Sequence, residues 1–191
     1  NGVNVVLNDG AAGFAELEGG AIEVQTASGK TYPADIVILA IGVRPDTTLA
    51  KAAGLEIGER GGIRVDEQMH TSDPDIFAVV DAIEVKDWVT GEWSLVALAG
   101  PANRQGRIAA DVIAGRDSRY RGTQGTSIIG LFGGAAAWTG VSEKTLKRVG
   151  DTDYEKVYLF PNSHAGYYPG AKSVGMKVLF RKSDGRLLGA Q

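Results

Sequence analysis

The sequence predicts an α/β portion followed by an α+β portion, and three observations lead there. Residues 76–79, Ile-Phe-Ala-Val, are an apolar run too short for a helix, fenced by Asp73-Pro74 and closed by Asp81. Residues 35–41 are a second apolar run, opened by Asp35 and ended by Gly42. Beyond residue 123, strand-like runs recur around one short helical segment, with a hairpin signal at Ser183, Asp184 and Gly185.

The elements follow in order. Residues 3–7 alternate weakly and predict a strand. Residues 21–26 alternate clearly, with Ile22 and Val24 on one face and Glu23 and Gln25 on the other. Ser28-Gly29 marks a hairpin turn. Residues 35–41 predict a strand. Asp46 can start a helix over 46–52 and Gly54 can end it. Gly61-Gly62 leads into a strand at 63–65, and residues 76–79 form the next. A helix over 100–114 is marked by Pro101 in its first turn, an apolar stripe of Ile108, Val112 and Ile113, and Gly115 after it. Strands at 127–132, 156–160 and 174–181 then surround a helix over 142–149, capped by Ser142. Gly130, Gly133 and Gly134, in a strand-like region, are expected to loosen the sheet that these strands form. Residues 116–124 are polar and glycine-bearing, a natural boundary.

Composition narrows the function classes. The 191 residues carry a net charge of −3, with no basic stripe to suit nucleic acid. No apolar run approaches the roughly 20 residues that span a membrane. The 27 glycines fit many tight turns and close backbone approaches to a ligand, or simply a loop-rich β protein. Cysteine is absent, which excludes disulfides and thiolate metal sites. Trp88, Trp93 and Trp138 read as packing residues, Arg44 and Lys172 as solvated surface charges.

Three stretches carry a resemblance. Residues 71–81, Thr-Ser-Asp-Pro-Asp-Ile-Phe-Ala-Val-Val-Asp, resemble the second FAD fingerprint of the pyridine nucleotide-disulfide oxidoreductases, with Val80 where that family places Gly. Residues 35–45 resemble the segment by which the family's chain leaves the NAD domain for the FAD domain. Residues 163–172, Ser-His-Ala-Gly-Tyr-Tyr-Pro-Gly-Ala-Lys, resemble the interface domain of its coenzyme A-disulfide reductase and NADH oxidase or peroxidase branch. The resemblance implies an incomplete FAD/NAD(P)-binding Rossmann-type portion followed by an interface (dimerisation) domain. It divides the chain into the end of an NAD(P)-binding domain (1–42), the end of an FAD-binding domain (43–122) and part of the interface domain (123–191). The glycine-rich pyrophosphate loop and redox cysteine of the family do not occur here, so the chain is expected to be a C-terminal fragment with both nucleotide sites incomplete.

The same resemblance assigns candidate residues. Asp81 would accept hydrogen bonds from the ribityl hydroxyls of FAD, with Val80 and Ala82 beside it; otherwise it is a strand-end carboxylate capping a turn. Leu98, Ala99 and Gly100 open a helix whose positive end would face the flavin ring, though any amphipathic helix shows such punctuation. Gly42 ends the returning strand. Tyr167 and Tyr168, with His164 nearby, would reach across a homodimer towards the partner's active cysteine, or would only pack an interface turn. The implied activity passes a hydride from NAD(P)H to FAD and electrons on to a small-molecule disulfide, persulfide, peroxide or oxygen, in the cytoplasm, with no metal. The competing reading is a non-catalytic interaction module or a decayed relative, favoured by Val80.

Overall fold

The computed structural model describes residues 2–191. They divide into two units, 1–43 and 44–191.

The first unit is an antiparallel meander of β1 (Ala11–Glu16), β2 (Ile22–Thr26) and β3 (Thr31–Ala34), in that order. Val24 on β2 pairs with Phe14 on β1 and Tyr32 on β3, so one apolar side chain per strand lines up across the sheet. The turn at Ser28-Gly29 forms as expected: Gly29 takes φ +83, and its N–H donates to the Thr26 carbonyl at 2.9 Å. Asp9 latches the turn by accepting from Ser28 N (2.9 Å) and Ser28 Oγ (2.6 Å), and these bonds hold its carboxyl below the ordinary range.

Two expected strands are not strands. Residues 3–7 and 35–41 form no ladder, and Val3, Leu7, Ile36, Ile38 and Ile41 stand exposed. A strand needs a neighbour for its backbone groups and a face for its side chains. The described residues of this unit, already paired in the meander, offer these runs neither.

The second unit begins with α1 (Thr48–Ala52), where Asp46 accepts from the Thr48 N–H at 3.0 Å, and Gly54 closes the turn with φ +75. A small sheet follows. In it β5 (Ile83–Lys86) pairs in parallel with β4 (Ile63–Arg64) and antiparallel with β6 (Trp93–Ser94). Helix α2 (Ala99–Ile113) turns its Gln105 and Ala109 inward. The core gathers Ile63, Val65, Met69, Ile83, Val85, Ala109 and Tyr120.

The expected strand at 76–79 is also absent. Phe77, Ala78 and Val79 pack on this core, but the segment makes one bridge, between Phe77 and His70. Its neighbour curls away: Met69, 1% exposed, takes φ +71 and donates its N–H to the Asp66 carbonyl, which breaks the ladder after one rung.

The remainder is a five-stranded antiparallel sheet in the order β7 (Ser127–Leu131), β8 (Gly134–Gly140), β11 (Leu187–Ala190), β10 (Met176–Arg181), β9 (Tyr154–Leu159). Helix α3 (Glu143–Arg148) covers one face, burying Leu146 with Val141, Leu179 and Leu188. Ser142 caps it by accepting from the Thr145 N–H. The loosening expected from Gly133 and Gly134 does not occur. Phe132 (φ +49) and Gly133 (φ +75) instead make a two-residue turn that sets Leu131 against Gly134, the conformation that matches strand twist. Nor are the tryptophans core residues: Trp88 and Trp138 are exposed, and Trp93 is half-buried beneath the Arg64 guanidinium, 3.9 Å from its ring.

Segment 120–124 is bonded to both sides. Trp88 N donates to Thr123 O at 2.9 Å, and Gly140 N to Gln124 O at 2.8 Å. Val89 packs against the second core.

Glu143 fastens α3 to the sheet, accepting from Lys177 Nζ and from Lys156 Nζ (2.9 Å). Lys177 first, then Lys156, lowers its carboxyl to about 2. A folded value below the unfolded one means stabilisation that is complete above the unfolded pKa, ~4.3, and lost as pH falls through about 2. Glu143→Gln should therefore lower the melting temperature at pH 7 and converge with the parent near pH 2. Parallel melting curves across that range would remove the ion cluster from the stability account.

Candidate functional site

Asp81 sits in a single 3₁₀ turn, Val80–Ala82, just before β5. Its side chain is exposed and makes no hydrogen bond among the described residues. Ala82 is half-buried and leads into Ile83, 1% exposed and paired with Ile63. Val80 has φ +72. A β-branched residue resists that region, at a cost of about 1–3 kcal/mol. The physical reason for glycine at this position is thus visible in the backbone: the turn is left-handed.

Helix α2 packs against this turn. Its N-cap, Leu98, is half-buried and extended, with no side chain capping the helix. Ala99 and Gly100 are exposed, and Pro101 has no N–H to offer. The helix therefore starts with free donors and a positive dipole end. Val80 N donates to Gln105 Oε1 at 2.7 Å, which ties the turn to this helix. The structure thus brings Val80, Asp81 and Ala82 to the helix that Leu98, Ala99 and Gly100 begin. Gly42 (φ +86) belongs to the first unit. Tyr167 and Tyr168 lie exposed in the loop between β9 and β10, their ring centroids 4.9 Å apart, and His164 Nδ1 lies 3.2 Å from Ser163 Oγ.

Sequence reasoning missed three features. Gln105 is 1% exposed and falls on the inward stripe with Ile108 and Ala109, a helical spacing that was legible. Glu84 is fully buried inside the apolar run Ile83-Glu84-Val85. Its Oε1 accepts from Arg60 N (2.6 Å) and Gly62 N (3.3 Å), and its Oε2 lies 3.6 Å from the Arg64 guanidinium. A Cβ at Gly58 would come within 2.2 Å of that carboxylate, so the loop needs glycine there. The third feature is a groove beside α2 where Arg104, Arg107, Arg119 and Arg121 converge with Gly100 and Asn103 and no carboxylate. Arg104, Arg107 and Arg121 make no ion pair among the described residues. The segment 119–122 begins six residues after Ile113, the last residue of α2, and supplies half of these charges, so the run of arginines was legible in the sequence, while only the fold sets the two sides of the groove against each other. Among the described residues no cluster of His, Cys, Asp or Glu could hold a metal, and no helix is long and apolar enough to cross a membrane.

Residues 1–106 match the pyridine nucleotide-disulphide oxidoreductase family model, and residues 130–191 match that family's dimerisation domain. The chain belongs to this family. Among curated members, an NAD(P)H sulfur oxidoreductase (CoA-dependent) of Pyrococcus furiosus is 34% identical over 170 residues, 89% of this chain and 38% of that protein. Among solved members, reduced CoADR-RHD of Bacillus anthracis superposes with TM-score 0.87 at 51% identity, covering 96% of this chain and 32% of that one. An NAD-dependent persulfide reductase of A. fulgidus gives TM-score 0.91 at 38% identity, covering 100% and 35%. The chain thus spans about a third of the length of these family members, 32–38%.

Proposed function

We propose that this chain supplies the flavin-facing turn and the subunit interface of a cytoplasmic NAD(P)H-dependent flavoprotein that reduces a small disulfide or persulfide. One observation carries the reading: an exposed, unengaged carboxylate, Asp81, stands on a turn tied through Gln105 to the helix that begins, uncapped, at Ala99 and Gly100. These residues fit FAD, which supplies hydride and electron transfer. Asp81 would accept from ribityl hydroxyls, with Val80 and Ala82 flanking. Ala99 and Gly100 would present N–H groups to the electron-rich edge of the ring, with Leu98, whose own N–H donates to the Val96 carbonyl, leading into them. Gly42 would carry the chain out of the NAD(P)-binding part, so that domain parts run 1–42, 43–122 and 123–191.

The arginine groove suits a substrate bearing phosphates, since clustered guanidinium groups recognise them by charge and paired donors. Coenzyme A, named in the description of the Pyrococcus furiosus relative, is a thiol carrier of that kind. A homodimer is proposed through the sheet face opposite α3. There Ile128, Val157, Leu159 and Leu187 are exposed, in the register of Met176, Val178 and Phe180. Tyr167 and Tyr168 would then serve the partner's redox centre.

The second reading, a non-catalytic interaction module or decayed relative, draws on Val80, which places a branched side chain on the cofactor-facing turn.

The test places this chain behind the N-terminal part of the Bacillus anthracis relative and follows flavin release by fluorescence. Asp81→Ala should weaken flavin binding about ten- to a hundredfold, the loss of charge-assisted hydrogen bonds. Val80→Gly should tighten it and raise the melting temperature by relieving the left-handed valine. If neither substitution moves flavin affinity, the interaction-module reading replaces this one.

A further inference from the structure

The geometry points to Gln105 as the positioning residue of the Asp81 carboxylate. Asp81 has no side-chain hydrogen bond of its own among the described residues, so its orientation comes from the backbone on either side. On one side, Ile83 is buried and paired with Ile63. On the other, Val80 is held at φ +72, a conformation its side chain opposes. A residue persists there when its surroundings over-determine it. The determinant is the Gln105 amide oxygen, which accepts the Val80 N–H at 2.7 Å from a side chain that is 1% exposed. Low exposure makes this bond hard for water to replace.

Gln105 lies five residues beyond Gly100 on α2, about 7.5 Å along the axis at 1.5 Å per residue. Through one hydrogen bond it therefore fixes both the left-handed turn and the separation of Asp81 from the start of the helix. What the carboxylate holds rests on the flavin reading above; the clamp itself does not.

The experiment uses the 191-residue chain, ¹⁵N-labelled, with amide exchange read residue by residue. Gln105→Met keeps much of the shape and removes the acceptor. The Val80 amide should exchange about tenfold faster, the effect of one lost hydrogen bond, while Ala109 in the same helix keeps its protection. An unchanged Val80 rate in the folded Met variant overturns the proposal. Should that variant fail to fold, Gln105→Glu decides. The introduced carboxylate still accepts the N–H, and its titration should shift the Val80 resonance; a resonance that ignores the titration overturns the clamp. Asp81→Ala should leave Val80 protection intact. A null flavin result in that variant with the clamp signals present would count against the flavin reading alone.

Discussion

Gly189→Ala is expected to cost about 3 kcal/mol, the upper end of overpacking penalties, and to split the five-stranded sheet. Gly189 pairs with Gly140 at the seam of β8 and β11, where the β7–β8 hairpin joins the other three strands. A Cβ at Gly189 would stand 2.1 Å from the Val141 carbonyl oxygen and 2.8 Å from the Val141 nitrogen. Both obstacles are backbone, and Val141 N is already committed to Leu188 O at 2.9 Å, so neither can yield without opening the seam. For a chain of this size the melting temperature should fall by about 2–4 °C per kcal/mol. Gly134→Ala is the control: its Cβ would meet nothing nearer than 3.5 Å, and it should be almost silent. Equal melting temperatures for the two variants would show that the seam tolerates a side chain.

Glu84→Ala should be comparably severe, about 3–5 kcal/mol, as is usual when one partner of a buried ion pair is deleted. The loss has two sources. The Arg64 guanidinium, only 18% exposed, keeps its charge without its counter-charge, and the N–H groups of Arg60 and Gly62 lose their acceptor. Glu84→Gln retains an oxygen for those two N–H groups and should lose distinctly less. Urea titration of both variants measures the difference. Equal losses would mean that the hydrogen bonds to Arg60 and Gly62 add nothing and that the charge carries the whole effect.

The helices and much of the interface sheet were legible because local signals and tertiary structure agree there. Ser142, Gly115 and the Asp184-Gly185 pair act where their chemistry predicts, and α2 runs over Ala99–Ile113, close to the expected 100–114. Strands at 3–7, 35–41 and 76–79 were misread because pairing is not a local property. An apolar run states what a segment would bury, not whether a neighbour exists. Asp81 was legible as a strand-end acid, although the strand before it is a single bridge. Gln105 and Glu84 were passed over as ordinary polar residues. The stripe of α2 and the interrupted apolar run of β5 pointed to their burial, but their partners lie 25 and 22–24 residues away.

The shortness of β5 has a mechanical consequence. It starts directly after Asp81 and Ala82 and ends at Lys86, beside the bridge between Asp87 and Thr123 that anchors the approach to the five-stranded sheet. Four residues at about 3.3 Å each make a rod some 13 Å long. Its first three side chains are buried and neighbouring strands grip both its edges, so it has little room to stretch or bow. The Asp81 turn and the Thr123 bridge are therefore the two ends of one short, gripped rod, with no loop between them to take up slack.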